Sequence, residues 1–321
     1  MGNTRSLLAA SLSLCSVSLV FFHFYSSHQL LKAEVLSGDR LPSFFYLHVK
    51  YLLRAVTRSS GRLYPAAAPG ARKAVYTVRD CRLDASLLRR FCSVAGYGWD
   101  YPDSEHRDVP LCFPESLQSL QPVDELKKGP FVLQARVLGY RQAAAGVEVD
   151  IRLSAASRSG CPVWESVLTL LSEERPGKAG GCLPEKGPPD EPAPETEKRV
   201  ELRVSRTTGT HCDWSFSDYS PHRILALPAR VLGLARPTAP GLWILSVCLA
   251  EIEKHKGVGP LTAPVSVTAL FQEPLAVPGH VGVRFWEETE AVGQPSTKGL
   301  SFRMETPGRS ISHIVGRISR F

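Results

Sequence analysis

Asparagine is almost missing from this chain: Asn3 is the only one, and its Asn-Thr-Arg context is not a glycosylation sequon. Nothing therefore marks the folded part as lumenal. A Gly-rich phosphate loop, an HExxH pair and a Gly-x-Ser-x-Gly elbow are also absent, which removes nucleotide-fold, zinc-protease and serine-hydrolase chemistry at the motif level. The eight cysteines (15, 81, 92, 112, 161, 182, 212 and 248) form no CxxC pair and no zinc spacing. They read as free thiols, and neither a metal nor a cofactor is expected. His48, His106 and His211 have no partner at metal or triad spacing and read as ordinary polar or core histidines. A concentrated basic run is lacking too. The 38 Lys and Arg against 31 Asp and Glu give a formal charge of +7, but the arginines are scattered and no basic-aromatic motif occurs, so nucleic acid is not expected as a partner. A diffuse positive balance suits an anionic small ligand instead.

What the chain does have begins with an uncharged stretch from Leu7 to Tyr25, bounded by Arg5 and Lys32. At a rise of 1.5 Å per residue it reaches about 28 Å, near the ~30 Å hydrocarbon core of a bilayer. Phe21, Phe22, Phe24 and Tyr25 cluster at one end, as aromatic side chains do at an interface. No small-x-small cleavage site follows convincingly. Residues 7–25 are therefore expected to be a retained single-pass membrane anchor, with a removable signal as the alternative, since Ser11, Ser13, Ser16 and Ser18 lower the hydrophobicity.

The remaining chain is long enough for two units with their own cores, at 43% hydrophobic and 21% charged residues. Phe44, Phe45, Leu47, His48, Tyr51, Leu52 and Val56 fall on helical spacing, and 59–75 breaks into Gly, Pro and Ala. Strands are expected at 131–140, 147–153 and 161–171, the middle one with Val147, Val149, Ile151 and Leu153 alternating against Glu148, Asp150 and Arg152. Residues 173–198 carry six prolines and almost nothing apolar, which reads as a linker or disordered insertion. Strand alternation resumes at Val200, Leu202 and Val204. Two helices follow, over 221–234 and from Leu242 to His255, and then strands at 264–272, 280–287, 299–305 and 311–318. A long helix wrapped by a curved antiparallel sheet satisfies that order, with another α+β sandwich as the alternative.

The helix over 221–234 opens on Asp218-Tyr219-Ser220-Pro221-His222-Arg223. Ser220 suits the N-cap and Pro221 the first helical position. Asp218 would sit just outside the helix start, beside N–H groups able to receive an oxyanion or a thioester carbonyl. The bland reading is a carboxylate capping a turn and an arginine on a solvated helix face.

These stretches resemble the MaoC-like and R-specific enoyl-CoA hydratases, whose signature is Gly-Asp-x-Asn-Pro-x-His. Asp218 to Leu234 aligns without a gap. Residues 235–243, ending in Pro240-Gly241-Leu242-Trp243, resemble the family's Pro-Ile-Ala-His-Gly-Met-Trp turn, and Phe271 to Gly279 its Phe-x-x-Pro-Leu-x-x-Pro-Gly strand pair. Val109 to Pro114 and Gly160 to Glu165 look like the companion repeat of two-unit members. The resemblance spans roughly 108–318. It implies an α+β double hot-dog fold, in which two curved antiparallel sheets each wrap a central helix and pair as an internal pseudo-dimer, with a homodimer as a further option. The domains would be a 1–35 anchor, a divergent 36–172 half, the 173–198 linker and a 199–321 half that keeps the signature remnant.

Family members activate water with an Asp and a His for addition across an enoyl thioester. By that resemblance Asp218 matches the Asp, but Arg223 occupies the His position, and arginine stays protonated at neutral pH. Ser220 stands for the signature Asn, Ser217 for the Gly, and Pro240 for the His before Gly241. Asp218 and Arg223 are the candidate catalytic pair, and Ser220, Gly241 and Trp243 the candidate substrate-binding residues. The implied ligand is an acyl or enoyl thioester of coenzyme A or a carrier protein. Three functions stay open: thioester binding without the standard chemistry, a hydratase or dehydratase (a lyase) acting through Asp218, and a non-catalytic scaffold.

Overall fold

A computed structural model describes residues 2–57, 75–98, 110, 118–143, 146–173, 197–205, 238–288, 299–309 and 311–320. In chain order the elements are helix α1 (Gly2–Leu30), strand β1 (Val35–Ser37), helix α2 (Phe44–Thr57), strand β2 (Val75–Cys81), helix α3 (Ala85–Ala95) and strand β3 (Gln118–Ser119). Next come a 3-10 turn (Val123–Lys128), strands β4 (Phe131–Ala143), β5 (Gly146–Ala156), β6 (Pro162–Glu173) and β7 (Lys198–Val204), and helix α4 (Gly241–Lys256). A short 3-10 turn (Gly259–Leu261) leads to strands β8 (Val265–Phe271), β9 (Gly279–Glu287), β10 (Gly299–Glu305) and β11 (Ser312–Arg320).

The strands form one 11-stranded sheet in the order β1-β2-β4-β5-β6-β3-β8-β11-β10-β9-β7. Every pairing is antiparallel except β1 with β2, where Val35–Ser37 runs parallel to Thr77–Arg79. The two-residue β3 joins the halves: Gln118 and Ser119 pair with Glu165 and Trp164 of β6 on one side and with Ser266 and Val265 of β8 on the other. The expected pairing of two sheets as an internal pseudo-dimer is thus met by a continuous ladder.

Alternation along the strands decides what the sheet encloses. Met304 lies opposite Val283 on β9 and Ile314 on β11, and Phe302 opposite Phe285 and Gly316. All the larger side chains of these rows are fully buried. They face α4, whose residues Trp243 to Ile252 are buried without a break. A helix that is apolar on every side needs cover on every side, and the second-half sheet with α3 supplies it. Gly316 is required by a close approach, because a Cβ there would meet Phe302 Cε1 and Thr268 O at 2.7 Å. The helix expected over 221–234 lies outside the described residues; among those described, the helix enclosed by the sheet is α4, the second of the two read from the sequence.

Helix α3 was not expected. Asp84 starts it, accepting the Ser86 N–H at 2.8 Å, and Leu88, Phe91, Cys92 and Ala95 make its buried stripe. Gly96 ends it with φ +91°, the left-handed geometry that glycine adopts without a Cβ penalty, while the Gly96 and Tyr97 N–H groups both reach Cys92 O. Among the described cysteines, Cys81, Cys92, Cys161 and Cys248 are free thiols.

The expected membrane anchor finds no support among the described residues. Residues 7–25 lie within α1, but among the described residues no helix is long and apolar enough to cross a membrane. Serines and His23 interrupt the apolar sequence, so its length alone does not make it a spanning segment.

Candidate functional site

The site expected from the sequence divides into described and undescribed parts. Asp218, Ser220 and Arg223 lie in 206–237, outside the described residues. Gly241 and Trp243 are described, and both belong to the first turn of α4.

Two separated stretches meet at this turn. The Ala239 N–H bonds Leu275 O at 2.8 Å, and Thr238 forms an isolated bridge with Ala276. Ala239, Leu275 and Val277 are buried at the junction. The segment entering α4 and the segment leaving β8 are therefore pinned together, which brings residues 238–243 to the 271–279 motif. Pro240 precedes the helix in an extended conformation and provides no side-chain cap; its carbonyl accepts the Ile244 N–H at 3.1 Å. The first-turn N–H groups have no partner within the helix itself, as at any α-helix start.

Gly241 matters for space here. A Cβ at this position would lie 3.1 Å from Cδ1 and Cε1 of Phe271, so the ring rests against the glycine and only hydrogen fits without a shift. Phe271 itself is partly exposed, leaving an aromatic wall beside the helix start. Trp243 points elsewhere. It is 5% exposed, and its indole N–H donates to Val94 O at 3.1 Å, tying α4 to α3. Its observed contacts are those of a packing residue.

His313 is a residue the sequence did not single out. It is buried on β11, its Nδ1 2.9 Å from Glu273 O and its Nε2 2.9 Å from Thr306 Oγ1. With the Gln272 N–H also bonded to His313 O at 3.0 Å, the histidine fixes the loop after β8 that closes on Ala239. The signal for it is faint: a single histidine on an alternating strand.

The ionisable groups around α4 are tied down. Glu251 is buried and accepts from Lys254 Nζ at 2.6 Å. Burial, and then the charge of Glu253, push the Cys92 thiol up to about 12, so it stays protonated and poorly nucleophilic at neutral pH. On the outer face, Arg284 grips Glu197 through two nitrogens, with Nη2 to Oε2 at 2.6 Å, and its Nη1 lies 3.3 Å from Glu305. That hydrogen-bonded guanidinium holds the Glu197 carboxyl below the usual carboxylate range. The arrangement fastens the edge strand β7 to β9, where Arg199 and Arg303 stand directly opposite Arg284 on either side. Among the described residues no group of three or more His, Cys, Asp or Glu could hold a metal ion.

No protein-family model matches the sequence, and no curated protein matches it. Solved structures do. The chain is similar to HtdX of Mycobacterium tuberculosis, with 15% identity and a TM-score of 0.53 over 76% of this chain and 98% of that one. It is similar to a MaoC-like dehydratase from Phytophthora capsici, with 17% identity and a TM-score of 0.57 over 78% and 95% of the two chains. It is also similar to the full-length peroxisomal multifunctional enzyme type 2 of Drosophila melanogaster, with 17% identity and a TM-score of 0.55 over 88% of this chain but only 57% of that one. With helix α4 buried against the second-half sheet and eleven strands in one ladder, the chain has the α+β hot-dog fold found in the MaoC-like dehydratases.

Proposed function

We propose that this protein binds acyl or enoyl thioesters, of coenzyme A or a carrier protein, at the start of α4, and that it lacks the ordinary Asp–His hydration pair. The observation that carries the reading is the junction at Gly241, where two segments are pinned around a helix start that no side chain caps. N–H groups at such a helix start suit a thioester oxygen, which gains negative charge when the adjacent double bond is attacked. Arg223, in the histidine position, would pair with Asp218 or hold a ligand phosphate or carboxylate, since it cannot accept a proton.

An acyl chain also has a surface to follow. The continuous core reaches Leu133 and Leu153 in the first half, but the next rows of the same sheet face, Val137–Ile151–Leu168 and Tyr140–Val149–Leu170, continue the apolar pattern beyond it. Tyr140 and Leu170 are 41% and 46% exposed. Binding of this kind needs neither a metal nor a redox cofactor.

The likeness to a MaoC-like dehydratase over nearly its whole length favours a second reading, an active hydratase. In it, water adds across the C2=C3 bond, its oxygen to C3 and a proton to C2, with Asp218 as the base. Calorimetry and a trans-2-enoyl-CoA hydration assay on the purified chain separate the cases. Saturable binding without turnover, weakened roughly tenfold by Arg223→Ala, supports our reading. Turnover abolished by Asp218→Ala establishes the second. Neither binding nor turnover leaves a scaffold.

A further inference from the structure

We propose that the corner between α1 and α2 docks this protein onto a lipid bilayer, with the bare turns of α1 entering the apolar layer and the corner resting among the headgroups. Val17, Leu19, Val20, Phe21, Phe22 and Tyr25 are 55% to 71% exposed. At ~100° per residue these positions point to every side of the helix, so a groove in a folded partner would cover only some of them, whereas a fluid apolar medium covers all.

Just past this stretch the helix is held. Ser27 is buried, and its hydroxyl accepts the Ser43 N–H at 3.1 Å. His28 Nδ1 lies 2.8 Å from the Tyr46 hydroxyl. Phe24 meets Phe45 and Tyr46 edge-on, at 5.8 and 5.4 Å between ring centres. The change from bare to held therefore falls on a cluster of aromatic rings, the side chains that favour the level between headgroups and hydrocarbon.

Charge points the same way. Lys50 lies 5.8 Å from the centre of the Tyr46 ring, and in this corner Lys32, Arg40 and Lys50 outnumber Glu34 and Asp39. The whole chain carries a formal +7, which suits an anionic surface. Strand β1, between the two helices, pairs with β2 and fixes the corner to the sheet edge. Docking of this kind requires no span and does not depend on the thioester reading.

The experiment is vesicle flotation of the full chain, using phosphatidylcholine with and without phosphatidylserine. The expected result is co-flotation with both, stronger with phosphatidylserine, and retention in high salt because apolar insertion is not screened. Phe21→Asp with Phe22→Asp should lower the bound fraction roughly tenfold or more. Thermal unfolding of the double variant should match the parent, since both rings are exposed. Lys50→Glu should weaken mainly the preference for phosphatidylserine. The proposal is overturned if the parent does not float, if high salt releases it fully, or if the double variant floats equally well. It is also overturned if the parent is a non-floating oligomer that the double variant dissolves, which would make this face a contact between copies.

Discussion

Around α4, the row Val283–Met304–Ile314 is sealed completely, while in the first half the corresponding inward row Tyr140–Val149–Leu170 leaves two of its three side chains exposed. Strand alternation provides the same apolar face in both halves. The difference lies in what rests on it: a buried helix in the second half, and in the first a core that stops at Leu133 and Leu153. A sheet face is thus specified by local pattern, and its occupancy by a distant element.

Mutations can break this comparison. Phe302→Ala should cost about 3–5 kcal/mol in chemical denaturation, whereas Leu170→Ala should cost under about 1 kcal/mol. Equal losses would mean that the halves are filled alike. Gly316→Ala forces Phe302 or the Thr268 carbonyl aside and should cost about 1–3 kcal/mol, while a similar change at the open Gly139 should be far milder. Trp243→Phe keeps most of the bulk but removes the bond to Val94 O, and should cost about 1 kcal/mol while loosening hydrogen-exchange protection at the end of α3.

The smallest effect concerns pH. Because Arg284 lowers the Glu197 pKa in the folded state, its contribution is fully present above the unfolded carboxylate value. It fades as pH falls through the lower folded value. The parent should therefore lose stability more steeply than Glu197→Gln below roughly pH 4.5, by about 1 kcal/mol or less. Parallel acid-denaturation curves would remove this ion pair from the account.

Much of the sheet was readable from the sequence, because β4, β5 and β8 to β11 alternate strongly and end at glycine or polar turns. The helix from Leu242 to His255 was readable as a helix, though its apolar residues on all sides gave no single face to locate its partner. Helix α3 escaped although Asp84 and Gly96 mark its ends, since an eleven-residue helix with two arginines inside shows only a short stripe. Strands β1 and β3, three and two residues long, have no periodicity of their own and exist because β2, β6 and β8 offer partners. At the candidate site, Gly241 was found through its motif. Phe271 belonged to a motif too, but nothing in the sequence placed its ring on that glycine, and His313 acts through carbonyls that only folding brings near.

The two residues Gln118 and Ser119 have an outsized bearing on how this chain could be divided. They hand hydrogen bonds to strands on both flanks, so a fragment starting at Lys198 would leave β8 with a bare row of amides and carbonyls. Such a piece would tend to recruit a copy of itself, and supplying residues 118–119 back on a peptide should compete with that self-association.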